Sequence, residues 1–350
     1  MKTAGNDTCR IFGADTLSEV RELLSCEQEV FVVYDGKVGP FAARAAALCG
    51  APVRGMVALE AGEAQKQMDT VLLLCRSLLE AGIDRGALVL TVGGGIVSDV
   101  AGFAACIYRR GVRYANIPTT LLAQTDAAIG GKTGVNFLDY KNMLGVIRQP
   151  EWTFLCPEVL ETLPRREFAG GAAELLKTFL LADADRYAGA CTLLSQMAEA
   201  EDFPAALKAH GPALNSLVLA AAGIKADIVH RDPFEGGERR KLNLGHTFAH
   251  AIEHCAAVKG DDISHGEAVA MGLVLCAGLS DRLGVSDGTL SRRLTADFQA
   301  AGLRFRCPYP LEELAGAMRQ DKKSDGGAVR FQMLRAVGDS TEMKLTTEQI

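Results

Sequence analysis

The residues best suited to chemistry stand in segment 242–265, where three of the chain's six histidines recur at every fourth position. That spacing places His246, His250 and His254 along one face of a predicted helix. A fourth histidine, His265, follows a Gly-Asp-Asp loop. Imidazoles from one helical face and from the next element are typical ligands of a divalent metal ion, although core or capping histidines share this spacing. The segment lacks the glutamate of H-E-x-x-H proteases, which disfavours peptide hydrolysis.

A carboxylate and a lysine that could join these histidines lie in a second predicted helix. Glu174 and Lys177 are three residues apart on one helical face. A surface ion pair is the usual interpretation of such spacing, but apolar flanks predict a semi-buried site where both charges need a strong partner. Glu174 would complete a Glu-His-His metal set with His246 and His265. Further residues that could line the same site are Lys225, Arg239 and Asn243.

A glycine-rich loop separates a predicted strand, residues 87–92, from a predicted helix, residues 98–107. Gly93, Gly94 and Gly95 would let backbone N–H groups approach a phosphate at the helix N-terminus. The G-x-G-x-x-G pattern is incomplete, so a tight turn without a ligand explains the loop equally well. Charged and hydroxyl residues near the other strand ends favour a nicotinamide dinucleotide, and these are Asp35, Glu63, Lys66, Thr119 and Thr120.

A polar segment follows at residues 124–142. Two glycines precede Lys132 and form a turn that would present its ammonium group, while Asn142 adds a neutral donor. Together they predict a grip on a phosphate or carboxylate. The spacing is not that of a P-loop, which disfavours a nucleotide triphosphatase. Lys141, beside Asn142, reads by itself as an ordinary surface lysine.

The elements that must position these residues fall into two groups. Strands predicted at 29–35, 53–60, 87–92 and 114–117 alternate with helices at 65–79 and 98–107, which indicates a parallel sheet flanked by helices. Helices predicted at 169–181, 213–229, 244–257 and 267–283 fill the remainder. The sequence therefore predicts an α/β Rossmann-like nucleotide-binding domain at 1–156 and an all-α metal-binding domain at 157–350.

Composition limits the partners of this chain. A net charge of −6 provides no basic surface for nucleic acid. The chain shows no apolar run of transmembrane length and no signal-like start, so we expect a soluble, cytoplasmic protein without a membrane partner. The ten scattered cysteines read as reduced thiols.

Six motifs, taken in order, resemble the 3-dehydroquinate synthase family, a member of the sugar-phosphate cyclase superfamily. They are GGGIVSDVAGF, YRRGVRYANIPTTLLAQTDAAIGGKTGVN, KNMLG, LPRREFAGGAAELLK, LNLGHTFAHAIE and SHGEAVAMG. The resemblance implies a dimeric enzyme that uses NAD and Zn²⁺ or Co²⁺. Such enzymes convert 3-deoxy-D-arabino-heptulosonate 7-phosphate to 3-dehydroquinate and phosphate. The substrate is transiently oxidised, loses phosphate, is reduced again and closes by an intramolecular aldol reaction.

The same resemblance assigns roles to individual residues. It implies that Glu174, His246 and His265 bind the metal and that His250 shuttles protons. It assigns the dinucleotide to Asp35, Glu63, Lys66, Gly94, Gly95, Asp99, Thr119, Thr120, Asp126, Lys141 and Thr162. It assigns the substrate to Asp126, Lys132, Asn142, Lys177, Lys225, Arg239, Asn243 and His250, with Lys322 or Lys323. Arg110 resembles an arginine that the family supplies to the substrate phosphate across the dimer interface.

The sequence departs from the family pattern at three places, and three alternative functions remain. The sequence differs from the family pattern at Gly36-Lys37, at Ala249 and at Asp232-Pro233. One alternative is another sugar-phosphate cyclase, such as a valiolone or scyllo-inosose synthase. A metal-dependent alcohol or glycerol dehydrogenase is the second, although it would not need so many phosphate-directed lysines. The third is a catalytically silent nucleotide-binding homologue, which would bind NAD without turnover.

Overall fold

The computed structural model describes residues 1–60, 62–138, 140–321, 328–346 and 348–350. It divides into two compact units, Met1–Leu163 with Leu207–His230, and Pro164–Ala206 with Arg231–Ile350. This division differs from the predicted boundary at residues 156–157, because segment Leu207–His230 groups with the first unit. Asn215 Nδ2 donates to the carbonyl of Ala14 at 3.0 Å, which ties that segment to the N-terminal part of the chain. Helical periodicity in the sequence gives no information about which unit a helix packs against.

Every predicted strand and helix named above is present, with ends shifted by at most four residues except for one helix, Phe203–Arg231, which begins ten residues earlier than predicted. The strands are β1 Lys2–Thr3, β2 Ile11–Gly13, β3 Val30–Asp35, β4 Val53–Leu59, β5 Leu88–Gly93, β6 Arg113–Pro118, β7 Lys132–Phe137, β8 Tyr140–Ile147, β9 Thr153–Leu155, β10 Ala328–Ala336 and β11 Asp339–Thr346. The helices are α1 Arg21–Leu24, α2 Gly39–Ala47, α3 Met68–Glu80, α4 Gly95–Ile107, α5 Arg165–Ala182, α6 Ala184–Glu199, α7 Phe203–Arg231, α8 His246–Lys259, α9 His265–Arg282, α10 Leu290–Ala300 and α11 Leu311–Asp321.

The first unit is built on a seven-stranded sheet with the order β1-β2-β9-β6-β5-β3-β4. All neighbouring pairs are parallel except β1 and β2. Side chains of β3 alternate between the two faces: Val30 and Val32 pack in the core that includes α2, whereas Phe31 and Val33 pack in the core that includes α3 and α4. Both faces are therefore covered, as in a doubly wound sheet.

The strand order reverses between β3 and β5. From β3 the chain passes to β4 on one side, and then returns to place β5 and β6 on the other side. In such sheets a ligand binds outside the carboxyl ends of the strands at this switch point. Asp35 ends β3, and the loop that includes Gly94 follows β5, so two predicted nucleotide-binding segments lie at that position.

The second unit is mainly helical and carries one antiparallel hairpin, β10–β11. The hairpin packs on α9, where Ser280 Oγ accepts from the backbone N–H of Leu334 at 3.1 Å. The predicted fold class, an α/β nucleotide-binding part followed by a helical part, is confirmed. Two hairpins, β7–β8 and β10–β11, were not predicted from the sequence.

One helix in the described ranges, α7, is long and apolar enough to cross a membrane by length and composition alone. However, 56% of its most apolar window is buried inside the fold. Pro212 also interrupts its interior. This burial is what a core helix of the first unit would show.

Candidate active site

Two glycines allow α5 and α9 to approach closely in the second unit. A Cβ on Gly266 would lie 2.2 Å from the Cα of Gly170, so only glycine fits there. Glu174 lies one helical turn after Gly170 and shares its face of α5. His265 is the first residue of α9, directly before Gly266. The glycine contact therefore brings Glu174 and His265 together.

A second glycine contact joins α8 to α9. Gly245 precedes α8 with a φ of 76°, a left-handed conformation that favours glycine. A Cβ on Gly272 would lie 2.3 Å from the carbonyl oxygen of Gly245. His246, the first residue of α8, is thereby held against the face of α9. The small residues around the histidines thus set the distance between three helices.

The predicted metal residues Glu174, His246 and His265 meet at one point. The Nε2 atoms of His246 and His265 lie 3.4 and 3.6 Å from Oε1 of Glu174. The three potential ligand atoms all lie within 4.8 Å of one another, a spacing that suits a single divalent ion. The ring centroids of His246 and His265 lie 5.6 Å apart, and the two rings meet edge to face. Both imidazoles can therefore direct a nitrogen to the same place.

The environment of Glu174 fits a bound cation. Its carboxylate is fully buried, and neither oxygen has a hydrogen-bond partner of normal geometry among the described residues. Lys177, itself 1% exposed, forms an ion pair with Oε2. Burial raises the pKa of Glu174, but Lys177, His246 and His265 outweigh it and hold that pKa well below its ordinary value. The carboxylate is therefore ionised and ready to accept a metal ion.

The outer nitrogens of both histidines have their own partners. His246 Nδ1 lies 3.1 Å from the carbonyl of Leu244, and His265 Nδ1 lies 3.3 Å from Oε1 of Glu253. These contacts favour the tautomer that leaves each Nε2 unprotonated for a metal. Burial lowers the pKa of His265, but Glu174 and Glu253 raise it to about 10. The same two carboxylates would favour a metal ion in place of that proton.

Glu253 was missed by the sequence prediction. It lies on α8 seven residues after His246, so the two residues share one helical face. That spacing was visible in the motif LNLGHTFAHAIE, although nothing in the sequence indicated that Glu253 would reach His265. Glu253 is half-buried, with 15% of its side chain exposed.

The loop before α8 holds two predicted substrate residues, Arg239 and Asn243. Asn243 donates to Oε1 of Glu235 at 2.9 Å, and Glu235 has a φ of 60°. Arg239 is 3% exposed and donates to the carbonyl of Pro233 at 2.7 Å. The carboxylate of Asp232 accepts from three backbone N–H groups of the same loop, which lower its pKa. The loop therefore keeps its hydrogen bonds although its sequence, Asp232-Pro233, departs from the family pattern. Glu235, the partner of Asn243, is a second residue that the sequence prediction did not include.

His250 lies one turn after His246 on α8 and is exposed. The ring centroids of the two histidines are 5.8 Å apart. It stands outside the three-residue cluster, as a proton shuttle beside a metal ligand would.

In the first unit, the glycine loop packs tightly between two neighbouring segments. A Cβ on Gly94 would lie 3.1 Å from Thr120, and one on Gly95 would lie 2.9 Å from Ala127. The backbone N–H of Thr119 donates to Gly93 at 2.9 Å. The N-terminus of α4 is thus held at the switch point, where backbone N–H groups of a helix end can face a phosphate.

Two of the predicted nucleotide residues, Lys66 and Asp99, are in contact beside this loop. Lys66 Nζ lies 2.6 Å from Oδ2 of Asp99, and both side chains are largely buried. Burial raises the pKa of Asp99 despite this ion pair. Asp35 Oδ1 accepts from the backbone N–H of Lys37 at 2.9 Å, so the departure Gly36-Lys37 forms a capped turn. The exposed Glu63 accepts from Asn136, a residue that the sequence prediction did not include.

A π-helical turn holds another predicted pair. Asp126 lies in the π-helix Ala123–Ala127, an irregularity that is frequent at functional sites. Lys225 Nζ donates to its carboxylate at 2.7 Å and to its carbonyl at 2.6 Å. Lys225 is 6% exposed, so its charge is directed to Asp126 within the first unit.

The other predicted residues lie on exposed parts of the first unit. Asn142 and Arg110 have φ values of 54° and 64°, in the left-handed region that is unusual for residues other than glycine. These remaining residues of the predicted set, all exposed, are Arg110, Lys132, Lys141, Asn142 and Thr162. Lys322 and Lys323 lie outside the described residues.

The fold and the clusters define a class of protein: a doubly wound nucleotide-binding unit joined to a helical unit with a Glu-His-His cation site. Two family models match the chain, "3-dehydroquinate synthase N-terminal" at residues 56–170 and "3-dehydroquinate synthase C-terminal" at residues 171–324. The chain belongs to the 3-dehydroquinate synthase family.

Individual relatives agree with this assignment. A 3-dehydroquinate synthase of Acidithiobacillus ferrooxidans is 43% identical over 286 residues, which are 81% of this chain and 75% of the relative. One from Xanthomonas campestris pv. campestris is 40% identical over 321 residues, which are 89% of this chain and 84% of the relative.

Solved structures show the same fold. A 2-epi-5-epi-valiolone synthase of Streptomyces hygroscopicus subsp. jinggangensis, solved with NAD⁺ and Zn²⁺, superposes with a TM-score of 0.84 at 26% identity, covering 100% of this chain and 96% of that one. A 2-deoxy-scyllo-inosose synthase, solved with carbaglucose-6-phosphate, NAD⁺ and Co²⁺, has a TM-score of 0.82 at 20% identity, covering 100% and 97%. The likeness to the latter concerns the fold alone.

Proposed function

We propose that this chain is a lyase that converts 3-deoxy-D-arabino-heptulosonate 7-phosphate to 3-dehydroquinate and phosphate. The observation that carries the proposal is the buried Glu174 carboxylate, which faces both His246 and His265 and has no hydrogen-bond partner of normal geometry in the part of the chain that the structure describes. Membership of the 3-dehydroquinate synthase family supports the choice of substrate. The reaction would serve the shikimate pathway to chorismate and the aromatic amino acids.

Glu174, His246 and His265 would hold Zn²⁺ or Co²⁺. When bound, the metal would acidify vicinal hydroxyls of the substrate, and NAD⁺ would accept a hydride and later return it. Lys177 is buried against Glu174 and supplies positive charge where water is excluded. Such a fixed charge stabilises negative charge that develops on a substrate. His250 is exposed one turn from His246 and would carry protons to and from the substrate.

The dinucleotide would bind at the switch point of the sheet. Its phosphates would meet the glycine loop, and its adenosine end would meet the carboxylate residues at the ends of β3 and β4. The proposed nucleotide residues are Asp35, Glu63, Lys66, Gly94, Gly95, Asp99, Thr119, Thr120, Asp126, Lys141 and Thr162. The Lys66–Asp99 ion pair supports the proposal because it holds two of these side chains in one place.

Substrate roles are proposed for a set of polar and basic residues. They are Asp126, Lys132, Asn142, Lys177, Lys225, Arg239, Asn243 and His250, with Lys323 beyond the described residues and Arg110 from a second copy of the chain. A homodimer is proposed on the β7–β8 hairpin, where Leu138, Tyr140 and Met143 are 78%, 63% and 54% exposed. Exposed apolar groups of this size are typical of protein interfaces. We also propose that the enzyme is soluble and cytoplasmic.

The test is phosphate release from 3-deoxy-D-arabino-heptulosonate 7-phosphate by the purified chain with NAD⁺, with and without a chelator. Release that needs the metal and leaves no net NADH is the expected result. Net accumulation of NADH would instead indicate a dehydrogenase, and bound NAD⁺ without any turnover would indicate a silent homologue.

A second candidate is a cyclase that acts on another sugar phosphate. The structural likeness to the valiolone synthase favours it, since the fold is nearly the same. The higher identity to 3-dehydroquinate synthases favours the first candidate. A sugar phosphate that lacks the substrate's carboxylate distinguishes them: preferential turnover of that compound would select the second candidate.

A further inference from the structure

Asn136 connects the proposed nucleotide segment to the hairpin that carries Asn142. Its side-chain Nδ2 donates to Oε1 of Glu63 at 2.7 Å, and its Oδ1 accepts from the backbone N–H of Asn142 at 2.8 Å. Its own backbone N–H donates to the carbonyl of Lys66 at 2.8 Å. A carboxylate only accepts and a backbone N–H only donates, so these partners fix the orientation of the amide. One residue thus contacts Glu63, Lys66 and Asn142.

The hairpin is irregular where Asn136 stands. Val135 pairs with Leu144 and Phe137 pairs with Tyr140, so Asn136 alone opposes three residues, 141–143. The ladder provides no regular partner for the backbone of Asn142, whose φ is 54°. The hydrogen bond from Asn142 to Asn136 takes the place of a ladder bond and holds this rare conformation. Through this irregularity, Asn136 determines the backbone conformation of Asn142.

The Glu63 end of the contact is also specific. Glu63 is exposed in the short 3-10 helix Glu63–Gln65, outside any strand or α-helix. Asn136 occupies one oxygen of its carboxylate, and Oε2, which no other described residue contacts by a hydrogen bond, could accept from ligand hydroxyls. Lys66, whose carbonyl accepts from Asn136, directs its ammonium to Asp99. The contacts of Asn136 thus hold both ends of the proposed adenosine-binding segment.

We propose that Asn136 is a positioning residue that couples dinucleotide binding to the binding of the substrate's phosphate. The inference rests on the proposed function, which assigns Glu63 and Lys66 to NAD⁺ and Asn142 to the substrate. A ligand that orders Glu63 also orders Asn136, and through it the backbone of Asn142. Coupling of this kind is reciprocal, so each ligand tightens the binding of the other by the same factor.

The experiment measures the dissociation constant of NAD⁺ by calorimetry, with and without saturating inorganic phosphate. It uses the full chain loaded with metal and freed of dinucleotide. In the wild-type protein, phosphate should tighten NAD⁺ binding about fivefold, at the lower end of typical coupling. Asn136→Ala should abolish this effect and weaken NAD⁺ about threefold to tenfold, as the loss of an exposed hydrogen bond to a carboxylate predicts.

Two further variants separate the ends of the contact. Asn136→Asp keeps the acceptor for Asn142 but places a carboxylate against Glu63, so NAD⁺ should weaken while phosphate alone still binds. Asn142→Ala should abolish the tightening of NAD⁺ by phosphate but leave the affinity for NAD⁺ alone unchanged. This result would show that phosphate acts at Asn142. Thr192→Ala, which removes an exposed hydrogen bond to the carbonyl of Ala188 on α6, is the control and should change neither value.

The outcomes distinguish this inference from the proposed function. A wild-type chain that binds no NAD⁺ would refute both. Independent binding of NAD⁺ and phosphate in the wild type, or wild-type coupling and affinity in Asn136→Ala, would refute only the role of Asn136.

Discussion

The contact between Gly170 and Gly266 determines how close Glu174 and His265 can be. An alanine at 266 would place its Cβ 2.2 Å from the Cα of Gly170 and 2.5 Å from its carbonyl carbon and oxygen. These are backbone atoms, which cannot turn aside as a flexible side chain can. Ordinary contact begins near 3.4 Å, so α5 and α9 would have to separate by about 1 Å. That displacement acts directly on the 3.6 Å distance between His265 Nε2 and Glu174 Oε1.

We therefore expect Gly266→Ala to bind metal more weakly by about 10- to 100-fold, comparable to the loss of an outer contact of a metal ligand. Overpacking of this kind should also lower the free energy of unfolding by roughly 1–3 kcal/mol. Metal affinity is measured by competition with a chromophoric chelator, and stability by urea unfolding of the metal-free protein. Stability in the absence of metal separates the packing effect from the loss of the ion.

Two matched variants sharpen this test. The reverse change, Gly170→Ala, meets the Cα and the backbone nitrogen of Gly266 at 3.4 and 3.9 Å and should be mild, although it adds a methyl to the same crossing. Gly278→Ala lies on α9 away from the crossing, where the new Cβ meets only Ser291 at 3.9 Å. It should leave metal affinity unchanged and stabilise the helix by about 1 kcal/mol. Equal effects of Gly170→Ala and Gly266→Ala, or wild-type metal affinity in Gly266→Ala, would refute the reasoning.

Three further predictions follow from individual side chains. Glu253→Gln should leave the fold intact but weaken metal binding about 10- to 100-fold, because His265 loses its carboxylate partner. Unchanged affinity in a zinc competition titration would contradict this role. His250→Ala should retain metal but lose turnover, and an unchanged rate of phosphate release would remove this residue from the proton path. Although burial opposes ionisation, hydrogen bonds from Ser286 and from the backbone N–H groups of Leu290 and Ser291 lower the pKa of Asp281. The ionised Asp281 should contribute its full stabilisation above the pKa of an unfolded aspartate, about 3.9, and should lose it as pH falls through the lower pKa of the folded protein. The fall in unfolding free energy at acid pH should therefore be less steep in Asp281→Asn.

The metal cluster could be predicted because its signals are local. The every-fourth-residue histidines define a helical face, and the apolar flanks of Glu174 predict a buried charge. The structure brings Glu174, His246 and His265 together as expected. The close helix crossings could not be predicted, since a glycine in a helix has no periodicity that identifies its partner. For the same reason Glu253 was missed: its contact with His265 depends on how α8 and α9 cross.

The two hairpins were missed for different reasons. Segment 132–147 was interpreted as a glycine turn that presents Lys132, because its exposed strand β8 carries charged, amide and apolar residues without a simple pattern. Strand β10 lies in a region that the sequence analysis assigned to helices, although the apolar residues Val329, Phe331 and Met333 alternate with the polar residues Arg330 and Gln332. That alternation was a usable signal for a strand. The packing of segment Leu207–His230 with the first unit depends on long-range contacts and had no such signal.

The central claim is that Glu174, His246 and His265 form a metal site on which turnover depends. The most direct measurement is a titration of the metal-free chain with Co²⁺, in which bound metal and phosphate release from 3-deoxy-D-arabino-heptulosonate 7-phosphate are followed together with NAD⁺ present. We predict that both rise in parallel and saturate at about one ion per chain, and that Glu174→Ala remains folded but gains neither. Full phosphate release without bound metal, or wild-type metal content in Glu174→Ala, would contradict the account.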